Sequence, residues 1–439
     1  MTLAATGRAA LLPLAAAIAA SAWPAGAEPT PSALSGAEAL RPFFAALSQL
    51  KSGRRTTPVE VLQIGDSHTA GDFISSGLRA RLQAKFGEAG RGVMPPGVPF
   101  KFYGPRQVDV TQSEGWRLEP SFPMTPDKLP PFGLAGYRLV SQKPGATVTL
   151  SADPEALFDR ARLCALAGRG AGSLVVTAGA KTTIIALGRG TPGPRCVSIA
   201  FAEPQKTLQI KATGRRATLL SFGTWRWRAG VSWSNMGVIG TELYDFAARD
   251  DGVLKAELKV YDPQLIVLAY GTNEGSRKVL DEAGYEQLMR EQIRRLKRLA
   301  PRAAILVLGA PDSNTTRPDI PEDGIHDLNF ACAPLTDSEL SAYPQLVANK
   351  EPALARWYPA PNLKRVRDAQ RRAAAAENVA FWDWEARMGG PCTAHKLSRP
   401  GVGLMRGDHV HFTNDGGEMI AGMLTDDLMA AYAAERGEG

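Results

Sequence analysis

Histidine and cysteine are scarce in this chain, with five and four copies among 439 residues, and aromatic residues make up only 7%. So few histidines leave a narrow choice of imidazole base. Asp408, His409 and His411 are chemically competent metal ligands, but no matching carboxylate or histidine cluster stands elsewhere in the sequence, so a metal reading fails. No metal and no cofactor are expected. Beyond the N-terminal region no uncharged apolar run reaches the roughly 20 residues a membrane span needs, so no stable membrane insertion is expected. There is also no repeat at a fixed period, and no basic stripe interleaved with aromatics, which excludes a nucleic-acid partner.

What is present is the composition of an ordinary globular chain, 44% hydrophobic and 22% charged. The length suits two domains or one domain with a large insertion. The N-terminus carries Arg8, an apolar run from Ala9 to Ala20, and Ala25-Gly26-Ala27. That pattern reads as residues 1–27 forming a secretory signal, with an exported, periplasmic or extracellular product. A membrane anchor is the alternative, but Pro13 breaks the run and it is too short. No cysteine follows the signal directly, which argues against lipid attachment.

Four cysteines in an oxidising compartment favour two disulfides over free buried thiols. Three pairings are open, and proximity along the chain favours Cys164 with Cys196 and Cys332 with Cys392. The net charge of +7 suits an anionic wall polymer, or equally a solvated surface without a partner.

Periodicity divides the chain. Residues 59–64 (VEVLQI) read as a strand, 70–86 as a helix, 265–269 (LIVLA) and 303–308 (AAILVL) as strands buried on both faces. Helices are expected at 285–299, 362–375 and 414–434, and a short strand at 379–382. Between 98 and 222, Pro and Gly punctuate short β-prone runs, and 120–131 reads as an extended linker. The expected architecture is one α/β domain with a parallel sheet, in two parts at 28–98 and 223–439, interrupted by a β-rich module at 99–222.

Four segments carry candidate chemistry. Gly65-Asp66-Ser67-His68 follows the first strand, where α/β sheets bind ligands; alone, the tetrapeptide also makes an ordinary capped turn. Asp408-His409-Val410-His411 precedes the last helix. A serine hydroxyl needs a base to take its proton, and the base needs a carboxylate to orient it; His411 and Asp408 supply both, with His409 and His68 as competing imidazoles. Ester cleavage also needs donors aimed at the developing oxyanion. Gly240, in Met236 to Thr241, and Asn273, in Tyr270 to Glu274, offer a backbone N–H and a side-chain amide. Trp225, Trp227 and Trp233 fit core packing better than a sugar platform.

Taken together and in this order, the four segments resemble the SGNH hydrolase superfamily. The resemblance implies a flavodoxin-like, three-layer α/β fold, Ser67 as nucleophile, Ser67 N–H, Gly240 and Asn273 as the oxyanion hole, and Asp408 with His411 as the partners of the serine. His68 stands where many members have leucine and Glu274 where many have aspartate. A closer resemblance is to bacterial peptidoglycan O-acetylesterases, through LQIGDSHTAGD at 62–72, MGVIGTEL at 236–243, LAYGTNE at 268–274 and FWDWEARMGGPC at 381–392. It implies a carbohydrate-binding-module-like β-sandwich between the first two blocks, and an esterase acting on acetylated peptidoglycan or a related glycan; a monomer is expected. An O-acetyltransferase, an esterase of another polysaccharide and a non-catalytic wall-binding protein are the alternatives.

Overall fold

The structure, a computed structural model, describes residues 33–123, 129–317 and 331–437. The expected signal at 1–27 lies outside the described residues, as does part of the 120–131 segment. A six-stranded sheet forms the centre, in the order Leu34–Ser35, Ala380–Trp382, Ala304–Leu308, Leu265–Ala269, Pro58–Gly65, Gly230–Gly237. All pairings are parallel except that of the short edge strand Leu34–Ser35.

Alternation along the strands builds three layers. Val59, Val61, Leu265 and Val267 face the helices Arg41–Lys51, Phe73–Phe86 and Asn414–Glu435. Leu62, Ile64, Ile266 and Leu268 face Asp251–Tyr261, Glu282–Leu299 and Leu363–Ala376. Both faces are buried, so these strands read as continuous apolar runs. The five parallel strands follow the doubly wound 2-1-3-4-5 order. Its direction reverses between Pro58–Gly65 and Leu265–Ala269, where crevices open beyond the carboxyl ends.

The strand Gly230–Gly237 was not legible as one. It is buried throughout, yet its sequence is GVSWSNMG. Its polar side chains are matched by internal partners: Ser232 hydrogen-bonds Glu60, Ser234 accepts from Val93 N at 2.8 Å, and Asn235 donates to Thr69 O at 3.1 Å. Internal satisfaction makes polar residues tolerable in a buried strand and hides the apolar signal.

The single helix expected over 70–86 is two, Ser67–Ala70 and Phe73–Phe86, divided at Asp72 with φ 55°. The buried Asp72 carboxylate explains the break. It accepts from Ser75 at 2.6 Å, Arg79 at 3.1 Å, Arg91 at 3.1 Å and the Arg106 backbone at 3.0 Å.

The intervening β-rich region is a sandwich of two antiparallel sheets around its own core. One sheet runs Lys181–Ile185, Leu174–Ala178, Thr207–Ala212, Thr147–Ala152, Val108–Gln112. In the other, Phe158–Ala167 and Thr218–Trp225 are central, and Gly92–Met94 pairs with the latter. The paired strands therefore begin at Gly92 and end at Trp225. The outer face of that sheet is not free: Cys164, Leu220 and Trp225 pack in the same cluster as Val253, Leu254 and Leu258. Trp225 and Trp233 are fully buried, and half-buried Trp227 lies under Arg160 and Arg162. The disulfides are Cys164–Cys196 and Cys332–Cys392.

Burial raises the Asp72 carboxyl, but Arg79 and Arg91 outweigh it and hold it at about 2 against an ordinary 3.8. The folded value is depressed, so its contribution to stability is present above pH 3.8 and is lost as pH falls toward 2. Asp72→Asn strands two buried guanidinium groups and is expected to cost ~3–5 kcal/mol, read as a lowered urea midpoint at neutral pH.

Candidate active site

Three loops leave the central sheet from one level. Gly65 is the register partner of both Gly237 and Ala269. Ser67, Gly240 and Asn273 follow within two to four residues of that rung, beside the switch point. The approach of the outer loops requires glycine at 237: a Cβ there would stand 2.2 Å from Ala70 N.

Ser67 opens the helix Ser67–Ala70, whose N-cap Asp66 accepts from His68 N at 2.9 Å. The segment before the terminal helix brings the other two groups. His411 Nε2 lies 3.0 Å from Ser67 Oγ and His411 Nδ1 lies 2.8 Å from Asp408 Oδ2. Asp408 Oδ1 accepts from the N–H groups of Val410 and His411, each at 2.9 Å. Burial pushes this carboxyl up, but the His411 ring and the two N–H donors prevail and keep it below the ordinary carboxylate range. With the carboxylate on Nδ1, the imidazole carries its proton there and turns a bare Nε2 toward the serine.

The competing imidazoles are engaged elsewhere. His409 is buried, stacked on Trp357 with centroids 3.6 Å apart, and held down to about 4 by burial and then by His395. His68 is buried with Nε2 2.9 Å from the Val410 carbonyl and Nδ1 3.3 Å from Asp66 Oδ1. Burial works against its charged form, yet Asp66 and the Val410 carbonyl outweigh that and raise its pKa. It ties the Ser67 loop to the Asp408–His411 loop. Trp384 and Phe412 pack edge-on against it.

The second and third blocks also meet. Asn273 Nδ2 donates to Thr241 O at 2.8 Å, and Glu274 Oε1 accepts from Leu243 N at 2.8 Å. Gly240, at φ 78°, sits in the turn just before Thr241. Ser67 and His411 open onto a cavity of about 310 Å³ whose walls include Phe73, Phe100, Phe102, Ile239 and Arg406. Phe100 and Phe102 come from the segment leading into the sandwich. Sequence reasoning missed them because nothing in the Pro- and Gly-rich entry says which way it folds; Asp72, accepting from Arg91 and Arg106, sets it. Among the described residues no cluster of three or more His, Cys, Asp or Glu side chains fits a metal ion, and no helix is long and apolar enough to cross a membrane.

The family described as GDSL-like Lipase/Acylhydrolase matches residues 212–419, which takes in the second, third and last blocks. A solved peptidoglycan O-acetylesterase is similar over 92% of this chain and 99% of its own, at 25% identity and a TM-score of 0.71. A carbohydrate esterase family 2 enzyme with a carbohydrate-binding domain, from Corynascus thermopiles, aligns over 66% of this chain and 94% of its own, at 14% identity and a TM-score of 0.29. A family two carbohydrate esterase from Cellvibrio japonicus covers 74% and 98%, at 12% identity and a TM-score of 0.25. No curated protein matches the chain.

Burial, above all, pushes the Glu274 carboxyl up from 4.5 to about 8. The folded state therefore holds a proton that the unfolded state releases, and stability falls as pH rises from 4.5 to 8. Glu274→Gln is expected to make that part of the profile shallower, seen as a urea midpoint that drops less across the interval than in wild type.

Proposed function

From the premise that this chain is a carboxylic ester hydrolase carrying a GDSL-like lipase/acylhydrolase domain, we propose that it removes O-acetyl groups from peptidoglycan sugars through an acetyl-enzyme on Ser67. The observation that carries the reading is the hydrogen-bonded chain from Ser67 through His411 to Asp408, at 3.0 and 2.8 Å, beside a cavity at the switch point of the sheet.

His411 Nε2 takes the Ser67 proton as Oγ bonds to the acetyl carbonyl carbon, and Asp408 stabilises the imidazolium. The carbonyl oxygen becomes an oxyanion, met by the N–H groups of Ser67 and Gly240 and the Asn273 amide. Collapse breaks the bond to the sugar oxygen, which leaves with the proton from His411. Water then repeats the sequence: His411 accepts its proton as hydroxide adds to the acetyl carbon, the bond from that carbon to Ser67 Oγ breaks as Oγ takes the proton back from His411, and acetic acid departs and ionises in solvent. An acetyl group fills only a small part of 310 Å³; the remainder, walled by Phe100, Phe102 and Ile239, suits a sugar ring with apolar faces. Two disulfides fit an exported enzyme.

Acetate release from O-acetylated sacculi tests this. Ser67→Ala is expected to lower kcat by about 10⁴-fold or more, with the fold intact. Asn273→Ala is expected to lower kcat by about 10²–10³-fold. Undiminished release by Ser67→Ala would remove the nucleophile assignment. Hydrolysis of p-nitrophenyl acetate without any release from sacculi would remove the glycan. Product analysis with a glycan acceptor separates transfer from hydrolysis.

A further inference from the structure

The cations of the sandwich look dispersed along the chain, but the fold gathers a group of them at one end. The loops 168–173, 186–190 and 213–216 join through Gly168 N to Leu187 O, Gly172 N to Arg215 O and Thr213 N to Ser173 O, each 2.9 Å. They meet backbone to backbone, since a Cβ on Gly172 would stand 2.7 Å from the Cα of Gly214. The result is a concavity of about 350 Å³ with a glycine floor at 170, 172, 188 and 214 and with Arg189 and Arg215 on its walls.

Charge there is of one sign. Residues 166–175, 184–197 and 211–218 contain Arg169, Arg189, Arg195, Lys211, Arg215 and Arg216, and no Asp or Glu. None of the six forms an ion pair among the described residues, although guanidinium groups elsewhere, such as Arg277, Arg294 and Arg372, are matched by carboxylates. Arg195 is half-buried and props the 186–190 loop by donating to Ala186 O at 2.6 Å. The other five are exposed. Like charges crowded without counter-charge concentrate anions, and the guanidinium fork pairs two N–H groups with one carboxylate.

The surroundings narrow the partner. These segments hold no Phe, Trp or Tyr on which nucleobases would stack. Their large exposed apolar side chain, Ile184, lies outside the lining of the concavity, and a lone isoleucine is not the apolar face with which a protein enters a bilayer. We propose that this end of the sandwich is a binding site for a carboxylate-bearing glycan strand, separate from the Ser67 cavity. Because the sandwich shares the cluster of Trp225, Leu254 and Leu258 with the hydrolase layer, both sites belong to one packed body. A strand held at one raises the effective concentration of its acetyl groups at the other. The choice of glycan rests on the esterase reading; the anion-binding character does not.

The test is pelleting of the full chain with sacculi, native and with their carboxylates amidated. Wild type is compared with the triple variant Arg169→Ser, Arg189→Ser, Arg215→Ser. The variant is expected to bind native sacculi about tenfold more weakly, the scale of three exposed charge pairs. Amidated sacculi should bind both proteins equally weakly. Melting temperature and p-nitrophenyl acetate turnover should be unchanged. Equal binding of native sacculi by both proteins overturns the proposal. So does wild-type binding that survives amidation, or tighter binding of duplex DNA or anionic phospholipid vesicles than of sacculi. If wild type fails to hydrolyse p-nitrophenyl acetate, the esterase reading falls while the pelleting comparison still decides this one.

Discussion

One rung of the central sheet, Gly237 beside Gly65 beside Ala269, fixes the geometry on which the rest depends. Parallel pairing forces three chain segments, far apart in sequence, to leave the sheet side by side and in the same direction. The loops that follow are short, so Ser67, Gly240 and Asn273 have little freedom to stray. Two glycines on the rung let the backbones close up where a side chain would hold them apart. The last element, carrying Asp408 and His411, is then aimed at this cluster from outside, with His68 on the Val410 carbonyl as the tie.

The sandwich is built into this arrangement. Its entry runs over Asp72, whose carboxylate accepts from Arg91 and from the Arg106 backbone as well as from Arg79. That network breaks the helix after Ala70 and sets the course of the chain toward Phe100 and Phe102 at the cavity. A buried carboxylate facing two guanidinium groups is costly to disturb on either side. The entry segment and the serine loop are thereby coupled. The shared cluster around Trp225 makes the coupling broad as well as local.

Three imidazoles near the serine show how surroundings differentiate one side chain. His411 has a carboxylate on one nitrogen and the serine hydroxyl on the other. His68 faces a carboxylate and a carbonyl, both acceptors, and its protonated form is favoured. His409, pressed on Trp357, is kept neutral by burial and then by His395. Sequence favoured His411 and left His409 as a competitor in the same short segment, and packing gives the two rings different surroundings.

The sequence by itself determined the layers and marked the candidate site. Apolar runs such as LIVLA and AILVL have no stable place except between two helical layers, and a serine, a glycine, an asparagine and an Asp-x-x-His pair in that order carry the resemblance to acyl hydrolases. It did not determine the strand Gly230–Gly237, because Ser232, Ser234 and Asn235 find partners only once Glu60, Val93 and Thr69 are brought to them. Nor did it determine the break at Asp72, the aromatic wall of the cavity or the concentration of cations on the sandwich. Those depend on side chains and charges that are distant in the chain and adjacent in space. Hydrophobic periodicity is a local signal, whereas a hydrogen bond or a field of like charges is set by distances that only the folded chain defines.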